Sequence, residues 1–273
     1  MRRWGWVTIA AIALGAVASW HLLGLQFADV SRGLHNMVRF AGEAFPPDWS
    51  VWQRGLEGLR ETVLIAYLAT ILGLVASLPL AVLAARNLTP HVIGGPVRLI
   101  LAAIRVMPSI LWALLVVIMI GIGPLAGVIA MGFYTLGFLG KLQYEAIEGL
   151  PAIGLETASA MGMSPLQKIR HVVMPESANT LISQVLFMFE YNVRASAIIG
   201  IVGAGGIGHT LNIAFAHHQY DRAFALLIMI FVAVVVIDAV SARIRRRFTE
   251  PGAKMQRVRW RDLVRPAPAG PKV

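Results

Sequence analysis

Long apolar runs alternate with short polar or basic stretches along almost the whole chain. Six runs can be followed, from about Trp6 to Leu25, Thr62 to Ala85, Leu99 to Ile120, Leu125 to Leu139, Leu181 to Val202 and Ala223 to Ala242. Each is near the ~20 residues that a helix needs to cross a bilayer; the fourth is the shortest and the richest in glycine. The pattern predicts an all-α membrane protein with about six transmembrane helices. Pro79 and Pro108 fall inside two of the runs and predict kinks, which membrane helices tolerate where neighbours satisfy the freed backbone groups. The chain divides into a first span with an outer loop (residues 1–55), a transmembrane domain (56–247) and a basic tail (248–273). The tail carries Pro266, Pro268 and Pro271 and reads as a disordered extension.

One polar insert stands out, between the fourth and fifth runs. Ala152 to Met161 reads as a helix, and Gly162 supplies a stop where a left-handed residue costs little. Ser164 reads as the N-cap of a second helix, with Pro165 at its first position and Gln167 completing a capping box. Pro175 limits that helix and can open the following span. Two short capped helices bent at a glycine are more than an ordinary loop requires, so the insert is expected to dock onto a partner. Ala158, Ser159 and Ala160 are small enough to let that partner approach closely.

Composition places the solvent of most of the chain as lipid. Hydrophobic residues make up 57% of the sequence and charged ones 14%, with a mean hydropathy of +0.70. The net charge of +10 invites a nucleic-acid reading. The basic residues sit at the ends of apolar runs, however, as the positive-inside rule requires, and no nucleic-acid partner is expected. Arg2 and Arg3, Arg86 and Arg98, Lys141, Lys168 and Arg170, and Arg243, Arg245, Arg246 and Arg247 fall on one side of a six-span topology. That side is then cytoplasmic, with both termini inside. Ala16-Val17-Ala18 also fits a signal-peptide cleavage site, and cleavage there leaves five spans in the same orientation. Without cysteine, disulfides and thiolate chemistry are excluded. His217 and His218 are adjacent and face different directions on a helix, so no metal site is expected.

The insert's residues carry a family resemblance. Glu156, Thr157 and Ala158, then Gly162, then Val172-Val173-Met174-Pro175 resemble the cytoplasmic signature of ABC-importer permeases: a Glu-Ala-Ala triplet, a glycine and an Ile-x-Leu-Pro ending. Thr157 replaces the middle alanine and Met174 the leucine. Arg105 to Leu114 and Glu190 to Gly200, running into the glycine cluster, resemble the phosphonate-type members. The resemblance implies that the insert is a cytoplasmic coupling helix. Glu156, Ala158, Ser159, Gly162, Met163, Ser164, Pro165, Lys168 and Pro175 are the positions that seat it on an ATPase subunit. It also implies a second permease copy, identical or related, two ATPase subunits carrying ATP and magnesium, and an extracytoplasmic binding protein, in the bacterial inner membrane. The chain itself is then no enzyme and binds no cofactor. The solute is a phosphonate or a related oxyanion: phosphite, hypophosphite or phosphate. Another small solute such as methionine, or secondary transport without ATP, is the alternative.

Two patterns are set aside. Gly203-Ala204-Gly205-Gly206-Ile207-Gly208 fits a dinucleotide fingerprint, but an apolar span precedes it and the next acids, Asp221 and Asp238, do not stand near the required offset of about 20 residues in a βαβ context. Gly203, Gly205, Gly206 and Gly208 are instead expected to break the helix at the outer mouth. No phosphate-binding loop occurs, since Gly140-Lys141 is followed by Leu142. The intramembrane Glu190 and Arg194 are functional candidates, with Tyr191 and Asn192 between them. Spaced i, i+4, the two charges are also able to neutralise each other. Arg194 is the leading candidate for attracting an anion. Arg105 is expected to snorkel to the cytoplasmic surface, with a substrate contact as its second reading.

Overall fold

The computed structural model describes residues 2–24 and 26–249. The tail beyond 249, read above as disordered, lies outside them. Eleven α-helices follow in chain order among the described residues: α1 (Arg2–Leu22), α2 (Phe27–Ala44), α3 (Trp52–Ala84), α4 (His91–Val106), α5 (Ser109–Ile120), α6 (Pro124–Glu148), α7 (Ala152–Ala160), α8 (Pro165–Lys168), α9 (Met174–Ile199), α10 (Ile207–Ala216) and α11 (Tyr220–Thr249). Five stretches are long and apolar enough to span a membrane, and the bent pair α4 and α5 makes a sixth. The side chains described on α1 are open, with Trp6 69% and Leu22 87% exposed.

The third predicted span is not one kinked helix. At Met107-Pro108 the chain breaks, and α4 and α5 meet at 87°. Met107 takes an extended ψ of 124°, because the ring of the next proline disfavours the helical region for its predecessor. Pro79, by contrast, is absorbed in α3, which runs unbroken over 33 residues.

The bundle centres on α3, α6 and α9, and small residues let these helices approach closely. A Cβ on Gly132 would lie 2.7 Å from Leu72 Cδ2, and one on Gly73 2.5 Å from Thr135 Cβ. Close approach of this kind is how membrane helices gain packing energy where lipid offers no hydrophobic contrast. Polar side chains lock the same contact. Asn192 Nδ2 on α9 donates to Thr70 Oγ1 on α3 and to Thr135 Oγ1 on α6, both at 2.9 Å. Ser77 donates to Gln143 Oε1 at 3.0 Å.

At one end lie the α3–α4 link, the end of α6 and the insert. Glu148 is paired with Arg98 and accepts from the Arg86 N–H at 2.6 Å, while Asn87 Nδ2 donates to the Ile147 carbonyl at 2.8 Å. Arg98 also lies over the Tyr144 ring at 4.6 Å. At the other end the glycine cluster closes the bundle. The Gly123 N–H donates to the Gly203 carbonyl at 2.9 Å, and the Ile207 N–H to Thr62 Oγ1 at 2.9 Å. Gly203 has φ +94°, Gly205 +80° and Gly206 +75°, angles that favour glycine. A Cβ on Gly208 would collide with the Ala197 carbonyl. These glycines serve close packing rather than looseness. Next to this end, Arg222 Nε donates to Asp48 Oδ2 at 2.9 Å and ties α11 to the start of α3.

Candidate functional site

The insert is built by local hydrogen bonding. At the end of α7 the Gly162 N–H donates to Ser159 O and the Met163 N–H to Ala158 O, both at 3.0 Å, with Gly162 at φ +71°. This is the six-residue helix stop that a left-handed glycine permits. Ser164 then caps α8: its Oγ accepts from the Gln167 N–H at 3.4 Å, and Gln167 Oε1 accepts from the Ser164 N–H at 2.8 Å. Pro165 occupies the first turn, as expected. Lys168 Nζ reaches back to Ser159 Oγ at 2.8 Å and braces α8 against α7 across the bend.

The base of the insert is fused to the bundle. Ala85 from the α3–α4 link, Ile147 from α6 and Val173 beyond α8 form one buried cluster, with Leu150, Leu155 and Met174 packed on it. Pro175 does not end the second helix. One π-turn over Ile169–Val173 joins α8 directly to α9, and Pro175 sits in the first turn of α9, where its missing N–H is harmless.

Glu156, Ser159 and Ala160 face outward, but Ala158 is only 2% exposed and packs within the insert. Its small size therefore suits the close packing of the insert itself. Three apolar side chains that the sequence reading passed over stand out instead: Ile153 at 72% exposure, Met161 at 69% and Leu166 at 74%. The sequence signal for them was their apolar character within a polar segment. Beside them lies an open groove of about 240 Å³, lined by Asn87, Glu148, Leu150, Ala152, Leu155, Glu156 and Ser159.

The charges of α9 are paired otherwise than their spacing suggests. Glu190 is buried and paired with Arg245 of α11, and Arg194 lies 3.6 Å from Asp238 of the same helix. Two ion pairs thus join α9 to α11, and no i, i+4 bridge forms. Asn192, wholly buried, is spent on Thr70 and Thr135. Tyr191 stacks on Tyr134 with ring centroids 5.2 Å apart and lies 6.5 Å from Phe138. The backbone of Arg105 lies away from both ends of the bundle. A Cβ on Gly137, near the middle of α6, would lie 3.1 Å from the Arg105 backbone nitrogen, so Arg105 sits at mid-height of the bundle. Among the described residues no group of three or more His, Cys, Asp or Glu side chains could hold a metal.

Residues 77–250 match the model of a family described as "Binding-protein-dependent transport system inner membrane component". The chain is 35% identical over 248 residues to the phosphite transport system permease protein PtxC of Stutzerimonas stutzeri, covering 90% of each chain. It is 37% identical over 188 residues to the phosphate-import permease protein PhnE of Mycolicibacterium smegmatis, covering 68% of this chain and 35% of that one. Among solved structures it is similar to an inward-facing MetNI methionine ABC transporter, with a TM-score of 0.64 and 24% identity over 71% of this chain and 96% of that one.

Proposed function

Because the chain belongs to the family of inner-membrane components of binding-protein-dependent transport systems, we propose that it carries a phosphorus oxyanion inward when a separate ATPase drives it. The observation that carries the coupling half of this reading is the insert. It is rigid, braced by Lys168, rooted in α3, α6 and α9, and tipped with Ile153, Met161 and Leu166. A partner surface that grips the apolar tips and moves them would turn the insert as a lever on three helices at once. ATP and magnesium belong to that partner, of which two copies serve a pair of permeases. An extracytoplasmic binding protein delivers the solute. The relatives named for phosphite and phosphate transport support a phosphorus oxyanion as that solute. Arg86 of the α3–α4 link and Arg98 of α4 share one end with the insert, which supports placing that end in the cytoplasm.

The test uses the whole complex, co-expressed with its neighbouring ATPase and binding protein and reconstituted in liposomes. Wild type should show ATP hydrolysis stimulated by binding protein loaded with phosphite, a phosphonate or phosphate. Met161→Glu should lose about tenfold or more of that stimulation, since a charge must then be buried at the contact. Gly162→Val should do the same through backbone strain, because a β-branched residue resists φ +71°. Unchanged coupling in both variants would remove the insert from the interface.

A further inference from the structure

Once the ion pairs of α9 and α11 are accounted for, one interior arginine is left over. Arg105 has no carboxylate partner among the described residues. It is half-buried at mid-height of the bundle, on the last turn of α4. An unshared guanidinium at that depth is costly unless something anionic visits it. Arg194, the sequence's first candidate, already faces Asp238 at 3.6 Å and is less suited to hold an anion.

What surrounds Arg105 is equally particular. Its backbone packs against Gly137 of α6, one turn beyond Tyr134 on the same helix. Tyr134 stacks on Tyr191 at 5.2 Å and on Phe138 at 6.0 Å, and Phe187 lies 6.4 Å from Phe138. These rings form a half-open aromatic wall along α6 and α9. On the far side of Arg105 the helix breaks at Met107-Pro108. Past that break α5 opens with no side-chain cap, and its Leu111 and Trp112 N–H groups donate to the Pro108 carbonyl.

Building on the importer reading, we propose that Arg105, flanked by the stacked tyrosines Tyr134 and Tyr191, is the anion contact on the translocation path. A guanidinium offers a planar fork that matches two oxygens of a tetrahedral oxyanion, and tyrosine hydroxyls donate to a third. The aromatic wall gives the anion few other polar partners, so the contact guides passage without trapping the ion. Selection among phosphorus oxyanions begins here as well as on the binding protein.

The experiment measures uptake of phosphite, methylphosphonate and phosphate by the reconstituted complex with loaded binding protein, for wild type, Arg105→Gln, Arg105→Lys and Tyr134→Phe. Co-purification of the ATPase reports assembly. Arg105→Gln should lower uptake roughly tenfold or more with assembly retained, the size expected for one charge-assisted contact. Arg105→Lys should recover part of the loss, and Tyr134→Phe should show a smaller loss that differs among the three anions. Wild-type uptake by Arg105→Gln overturns the proposal. So does a loss of uptake that follows lost assembly in both Arg105 variants, which would make the residue structural. A wild-type complex that couples to ATP but takes up none of the three anions overturns the oxyanion reading itself, an outcome distinct from the other two.

Discussion

A carboxylate as deeply buried as Glu190 is stable only while a cation faces it, and that cation is Arg245. Removing one partner of such a pair leaves an uncompensated charge in an apolar setting, whereas neutralising both is far cheaper. Arg245→Gln is therefore expected to destabilise the detergent-solubilised protein by about 3 kcal/mol, with much of the loss recovered in the Glu190→Gln, Arg245→Gln double variant. Thermal unfolding of the three proteins checks this. Asp48 presents the opposite case, a carboxylate at the surface. Hydrogen bonds from the Ser50 N–H and hydroxyl, and from Arg222, hold it down at about 2, from an ordinary 3.8. A carboxyl lowered on folding stabilises the fold above its unfolded value and loses that contribution as pH falls through the folded one. The difference in melting temperature between wild type and Asp48→Asn should thus be constant above pH 4 and shrink between pH 4 and 2.

At the scale of elements, the insert shows how far local chemistry reaches. Gly162 and Ser164 were legible in the sequence because a helix stop and a capping box involve neighbours within six residues. Ser164→Ala removes the acceptor for the Gln167 N–H and should cost the insert about 1 kcal/mol, read as faster amide hydrogen exchange over residues 164–168 with the spans unaffected. The burial of Ala158 was not legible, because burial depends on packing between elements and not on the local sequence. The same limit applies at the prolines. Both Pro79 and Pro108 predict disturbance, yet α3 runs on through one while α4 stops short of the other. Which proline breaks a span is settled by the helices packed around it. Those neighbours either continue to support the axis or, as α6 does beside α4 and α5, accommodate a turn of 87°.

On the scale of the whole molecule, the bundle joins two differently built ends. Glycines with positive φ seal one end against α3 and α6, while Arg98, Glu148 and the insert make up the other. Between them α9 carries the root of the insert, the hydrogen-bonded Asn192, the ion pairs to α11 and Tyr191 of the aromatic wall. The sequence by itself determined the apolar spans, the capped insert and the family, since hydrophobic runs, caps and short motifs are written in consecutive residues. Only the tertiary structure decided which charges meet and that the half-buried Arg105 has no carboxylate partner among the described residues. Glu190 finds Arg245 across 55 positions and Asn192 finds Thr70 across 122, and no local pattern encodes a pairing that helix packing alone brings within reach.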